Sequence, residues 1–166
     1  MSEWLLVRPA TTADADALVA LGRAVAAEEQ GWLTYNRSPS DERRNVKSVR
    51  RDPNAAVFVA ETPAGVVGRL SIARDNNPFS YHVAELGLMV AATERRRGIG
   101  TALMEEGVKW ARSAGITKVE LHVFPHNEPA IALYKKLGFL EEGHRRRHYR
   151  IAGQYVDAIL MAIDLD

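Results

Sequence analysis

Arg95-Arg96-Arg97-Gly98-Ile99-Gly100-Thr101 stands between an apolar, β-forming run at residues 82–90 and a segment with helical periodicity. In that segment Ile99, Leu103, Gly107 and Trp110 fall on one stripe, joined by Met104, Val108 and Ala111. Glu105, Lys109 and Arg112 are left to face water, and Gly115 ends the pattern. The spacing therefore predicts strand, turn and helix, with the helix starting near Gly98. A helix start carries unpaired N–H donors and the positive end of the helix dipole. Glycines let a ligand approach the backbone, and arginines add charge and forked donors, so the turn suits a pyrophosphate. No Gly-Lys-Ser/Thr follows, which excludes an ATPase P-loop. The three-glycine dinucleotide fingerprint is also absent, and the turn lies late in the chain rather than after its first strand. Taken alone, the run reads equally as a solvated basic helix start.

Upstream, a short apolar run at residues 4–8 closes at Pro9, and Thr11 or Thr12 caps a helix with Asp14 and Asp16 in its first turn. Leu18, Leu21, Val25 and Ala26 keep helical spacing as far as Glu28 or Glu29, and Gly31 ends it. Residues 32–39 read as a loop. Ser40, Asp41 and Glu42 open a second, charged helix that stops before Asp52-Pro53. Residues 55–61 and 66–74 form a hairpin about Thr62-Pro63-Ala64-Gly65. Downstream come a strand at 118–123, a helix at 127–137, a strand at 140–149 and a last strand at 154–163. The order β-α-α-β-β-β-α-β-α-β-β predicts one domain over residues 1–166, an α/β fold with a mixed, partly antiparallel sheet flanked by helices.

In the second helix-forming motif, Asn127-Glu128-Pro129-Ala130-Ile131-Ala132-Leu133-Tyr134-Lys135-Lys136-Leu137-Gly138-Phe139, Asn127 is a good N-cap, Pro129 fits the first turn and Gly138 is a natural C-cap. Those features explain a helix without any function. Asn127 and Tyr134 lie nearly two turns apart, so both side chains can point along one face.

Together the two motifs resemble the GCN5-related N-acetyltransferase (GNAT) family: Arg95-x-x-Gly98-x-Gly100 matches its acetyl-CoA signature, and Asn127-x-x-Ala130-x-x-Leu133-Tyr134-x-x-x-Gly138-Phe139 its downstream helix. The resemblance runs from about Val66 to the C-terminus. Two positions depart from it, Arg96, where many members carry glycine, and Ala92, where proline is common. The resemblance implies the acyl-CoA N-acyltransferase fold and an acetyl-CoA-dependent transfer to a primary amine. Leu88, Met89 and Val90 would flank the pantetheine arm, and Arg95, Arg96, Arg97, Gly98, Ile99, Gly100 and Thr101 would surround the pyrophosphate. Asn127 and Tyr134 would also bind CoA, and Tyr134 would protonate the departing thiolate. A bulge near Gly87 would free an N–H at Met89 or Val90 for the oxyanion. The amine must be neutral to attack, so a group must take its proton. Glu85 is the first candidate, with His82 and His122 as alternatives, although a surface carboxylate is an equal reading of Glu85.

The family likeness leaves the acceptor open between a small-molecule amine, such as an amino acid, and a protein N-terminus or lysine. A non-catalytic acyl-CoA sensor is the alternative of another class. Trp32 and Tyr35 suit an apolar acceptor, whereas Glu28, Glu29, Asp41 and Glu42 suit a cationic one. A homodimer is a further expectation from the family.

Composition narrows the rest. The chain has 166 residues, 46% of them hydrophobic, enough for a sizeable core. Its 22 basic and 21 acidic residues give a formal charge of +1, so no global field favours nucleic acid or an anionic membrane. Cysteine is absent, which removes disulfides, thiolate metal sites and a cysteine nucleophile. The five histidines show no metal-ligand spacing, and no metal is expected. No segment is long and apolar enough to span a bilayer and the N-terminus has no leader pattern, so a cytoplasmic protein is expected. His144-Arg145-Arg146-Arg147-His148 is expected on a strand, where alternation would split it between two faces.

Overall fold

The β-rich runs pair in the order β1-β2-β3-β4-β5-β7-β6, and every pairing is antiparallel except β4 with β5. This is the arrangement in a computed structural model, which describes residues 3–28, 31 and 35–166. Glu29 and Trp32, named above for the acceptor, lie outside the described residues. The strands are β1 (Leu6–Pro9), β2 (Ala55–Thr62), β3 (Gly65–Arg74), β4 (Val83–Val90), β5 (Lys118–Val123), β6 (Leu140–Ile151) and β7 (Gln154–Asp164). The helices are α1 (Ala15–Ala26), α2 (Pro39–Arg50), α3 (Ile99–Ser113) and α4 (Glu128–Lys136). The element order and the mixed sheet are those expected from the sequence. Among the described residues no helix is long and apolar enough to cross a membrane.

Local chemistry sets the helix limits. Ser38, rather than Ser40, caps α2: its Oγ accepts from Asp41 N–H while the Asp41 carboxylate accepts from Ser38 N–H. Pro39 then occupies the first helical position, where a missing N–H does no harm. Leu18, Leu21 and Val25 turn the apolar stripe of α1 toward the sheet, and the helix ends at Ala26.

The sheet has two faces. On one, Leu70, Ile72, Leu86, Val119, Leu121 and Met161 form the main core, covered by Ile99, Leu103 and Met104 of α3 and by Tyr134 of α4. Close approach of α3 depends on Gly107, where a Cβ would come within 2.9 Å of the Leu70 side chain. On the other face, Leu18 and Val46 pack on Val57 and Val59, and Leu21 and Val25 pack on Met89.

The parallel pair β4–β5 is short. It holds register at Val83↔Lys118, Ala84↔Val119 and Glu85↔Glu120 and no further. Residues 86–90 stay paired with β3, and β5 stays paired with β7 as far as Val123. The two strands therefore part beyond Glu85, opening a wedge toward the C-terminal end of β4.

The basic run on β6 does not alternate as expected. Pairing with β7 slips between Arg145 and Tyr149, and Arg147 takes the left-handed conformation with φ 55°. The Asp157 carboxylate holds this bulge, accepting from Arg147 N–H at 2.7 Å and lying 2.7 Å from His144 Nε2. The extra residues swing His148 and Tyr149 toward β5, where the His148 ring stacks on His122 with centroids 5.5 Å apart.

Candidate active site

At the mouth of the wedge stands the start of α3. The first α3 bond that reaches back to the turn runs from Ala102 N–H to Gly98 C=O, so the N–H groups of Ile99, Gly100 and Thr101 have no intrahelical acceptor. Gly98 caps the helix at φ 81° and Arg96 lies at φ 62°, both left-handed, so the turn folds back on itself and exposes these donors. The helix dipole reinforces them, and the result is an anion cradle. A Cβ on Gly100 would lie 3.1 Å from Leu133 of α4 and under 4 Å from Leu88 and Val90. The cradle, the free edge of β4 and the inner face of α4 thus meet at one place.

The three arginines have separate duties. Arg95 forks onto Glu28, at 2.5 and 2.6 Å, and donates Nε–H to Val90 C=O, tying α1 to the end of β4. Arg97 pairs with Glu94 and lies over the Trp4 ring at 4.2 Å. Only exposed Arg96 has no side-chain partner recorded among the described residues. The charge expected of all three falls to Arg96, while Arg95 and Arg97 shape the turn. Ala92 begins one turn of 3-10 helix without the proline.

Arg96 also explains why glycine is common at its position: a Cβ is disfavoured at positive φ by about 1–2 kcal/mol. Arg96→Gly is accordingly expected to raise unfolding stability by up to about 1 kcal/mol, because glycine's added unfolded-state freedom offsets part of the relief. Urea denaturation of the two proteins measures the difference.

Within the wedge, Leu88 and Val90 face the core with α3 and α4, and Met89 faces α1. The strand carries no bulge at Gly87, since its register with β3 is unbroken from Ala84 to Val90. Backbone groups become free because β5 diverges, while β4 itself stays regular. Asn127 caps α4, its Oδ1 accepting Ala130 N–H at 3.3 Å, so its amide N–H₂ remains the group able to donate to a ligand. Tyr134 is 6% exposed, tilted against Phe139, and desolvation pushes its phenol up to about 12.

The three proposed bases separate clearly. His82 is exposed at the closed end, where its carbonyl accepts from Thr117 and Lys118 N–H. Glu85 and His122 come together where the strands part, with Oε1 and Nδ1 3.1 Å apart. His122 Nε2 is enclosed and has no hydrogen-bond partner among the described residues. The residue sequence reasoning missed here is His148, delivered by the β6 bulge, and no local signal in the Arg-rich run announces that bulge.

The described acidic residues suggested for a cationic acceptor, Glu28, Asp41 and Glu42, are otherwise engaged. Glu28 holds Arg95, Asp41 caps α2, and Glu42 has no exposed side-chain surface. Glu42 accepts from Tyr35 Oη at 2.5 Å and from Arg37 at 3.2 Å, and lies 3.4 Å from Arg69. Tyr35 lies flat on α1 because Gly22 has no side chain; a Cβ there would sit 2.5 Å from the ring. Among the described residues no group of His, Asp and Glu could hold a metal ion.

Residues 23–139 match the sequence profile of the Acetyltransferase (GNAT) family. The L-amino acid N-acetyltransferase AaaT of Escherichia coli is 34% identical over 168 residues, covering 98% of both chains. The N-alpha-acetyltransferase RimI of Mycobacterium tuberculosis is 38% identical over 107 residues, 63% of each chain. The crystal structure of a ribosomal-protein-alanine N-acetyltransferase from Brucella melitensis superposes with a TM-score of 0.87 at 29% identity, covering 96% of this chain and 99% of that one. An anion cradle at a helix start, a wedge between β4 and β5, and a profile spanning most of the chain agree: the chain belongs to the GNAT family and is an N-acetyltransferase.

Proposed function

We propose that the protein transfers the acetyl group of acetyl-CoA to the primary amine of a small molecule, an L-amino acid or close relative, by direct attack on the thioester. The observation that carries this reading is the wedge between β4 and β5 with the α3 cradle at its mouth. The pantetheine arm runs in the wedge against the free backbone of Leu88, Met89 and Val90. The pyrophosphate rests on the N–H groups of Ile99, Gly100 and Thr101 beside Gly98, with Arg96 adding charge. A β4 N–H facing the wedge stabilises the oxyanion as the carbonyl becomes tetrahedral.

The α-amine of an amino acid is cationic at neutral pH and must lose one proton before it can attack. Glu85, exposed where the strands part, accepts that proton, with His122 Nδ1 holding its carboxylate in place. Collapse of the intermediate breaks the C–S bond, and Tyr134 gives its proton to the thiolate. Its raised pKa keeps the phenol protonated until that moment.

An amino-acid acceptor is favoured over a protein N-terminus by the extent of the likeness. The AaaT match spans 98% of this chain, α1 and α2 included, whereas the RimI match spans 63%. The test is release of free CoA from acetyl-CoA with L-amino acids, polyamines and short peptides, against amine-free and heat-inactivated controls. Release with an acetylated amino acid is expected. Release only with peptides would move the acceptor to protein N-termini, and CoA binding without release would leave an acyl-CoA sensor.

A further inference from the structure

On the sheet face that carries Glu85 and His122, the next residues along β4 are Gly87 and Met89, opposite Ser71 and Arg69 of β3. Gly87 has no side chain and Ser71 has a short one, so this part of the sheet forms a floor rather than a ridge. Glu85 and His122 bound the floor at one end and Arg69 at the other. Glu85 and Met89, the partner of Arg69, are four residues apart, about 13–14 Å along the strand. That interval can be spanned by the Glu85 and Arg69 side chains with a bound α-amino acid between them.

Arg69 is unusual in its surroundings. Its side chain is only 12% exposed, yet it donates no hydrogen bond among the described residues, and Glu42 Oε1 at 3.4 Å is its one ion-pair contact. Its Nε–H is enclosed and has no acceptor among the described residues. Glu42 is shared with Arg37 at 3.2 Å and with the Tyr35 hydroxyl, whose proton affinity burial and Glu42 both raise. Two guanidinium groups therefore face one carboxylate, leaving one positive charge uncompensated. Desolvation works against that charge and lowers the proton affinity of Arg69. Buried guanidinium groups are normally paired with an anion and fully hydrogen-bonded. An anionic ligand group at the terminal nitrogens supplies the missing charge, and the fork of Arg69 is shaped for a carboxylate.

We propose that Arg69 binds the α-carboxylate of the acceptor, so that the enzyme selects α-amino acids over the corresponding amides and simple amines. This rests on the small-molecule reading of the acceptor above. Arg69 takes the carboxylate, the Cα of the acceptor lies over the Gly87–Ser71 floor, and the amine on that same carbon points toward Glu85 and His122 at the wedge. The Tyr35–Glu42–Arg37 group fixes Arg69 from the helical side and keeps its charge only partly neutralised.

The experiment compares L-alanine, L-leucine and L-phenylalanine with their carboxamides, in the wild type, Arg69→Met and Arg69→Lys. Turnover is measured together with binding of N-acetyl-L-leucine and N-acetyl-L-leucinamide to the CoA-loaded protein by calorimetry. The wild type is expected to prefer the acids by about 100-fold in kcat/KM, since a site built to bond a polar group rejects analogues lacking it. Arg69→Met should abolish the preference by lowering kcat/KM for the acids alone, with affinity for CoA unchanged. Arg69→Lys keeps the charge beside Glu42 and guards against loss of folding; it should retain a preference reduced about tenfold. Equal loss for acids and amides, or a preference untouched in Arg69→Lys and Arg69→Met, would overturn the proposal. So would a wild type indifferent to the carboxylate in both turnover and binding. Carboxylate-dependent binding that Arg69→Met abolishes, without acetylation of any amino acid, would instead sink the proposed acceptor and leave the carboxylate site standing.

Discussion

Replacing Tyr134 by phenylalanine is expected to lower kcat by about 10²-fold or more, the range for loss of a positioned general acid. The dissociation constant for CoA should change by less than about threefold, because removing one hydroxyl leaves the packed ring and the phosphate cradle in place. The ring is buried against Phe139 in the main core, so phenylalanine fits the same space. What is lost is a proton held on the phenol up to a pH of about 12. At any working pH Tyr134 begins each cycle protonated, so no basic limb of the rate profile should come from it. Stopped-flow release of CoA with parallel calorimetry of CoA binding separates the two effects. A kcat within twofold of wild type would remove Tyr134 as the proton donor.

The largest loss of stability is expected from Glu42→Ala, about 3–5 kcal/mol, the range for breaking a buried ion pair by removing one partner. Among the described residues Glu42 is the one carboxylate paired with Arg69 and Arg37, and it also anchors Tyr35. Its loss leaves buried positive charge with nothing opposite and releases the segment that Tyr35 fastens to α1. Tyr35→Phe removes one hydrogen bond and keeps the ring on Gly22, so it should destabilise by only about 1–2 kcal/mol. Urea denaturation of both variants tests the ratio. Equal effects would mean that the hydroxyl, and not the charge, holds this corner together.

The fold was legible because its signals are local. Alternation, Gly and Pro punctuation and two capped helix motifs each sit within about fifteen residues, and their order alone separates a mixed sheet from a doubly wound one. The cradle was legible for the same reason, since Gly98, Gly100 and the helix start are contiguous. What escaped depends on pairings between distant segments. Glu85 and His122 were named separately, and only the short parallel register at Glu85↔Glu120 brings them together. Arg69 gave no sign, because an arginine on an alternating strand reads as solvent-facing; its burial follows from α2 lying above it. Glu42 did give one, unheeded: with Val46 and Val49 it continues the narrow inward stripe of α2. The β6 bulge escaped because a run of arginines carries no turn residue, and Asp157, which stabilises it, lies on the next strand.

The brief parallel pairing of β4 with β5 divides the sheet into two blocks, β1 to β4 and β5 to β6, joined along a seam by three residue pairs. In the proposed binding mode the pantetheine amides replace the missing backbone bonds and stitch one block to the other. Saturating CoA should therefore slow hydrogen exchange on both sides of the seam, in residues 86–90 and 121–123, and not only where it touches phosphate. Ligand at 100 times its dissociation constant adds about 2.7 kcal/mol to unfolding, so the cofactor would serve the protein as a removable piece of its own sheet.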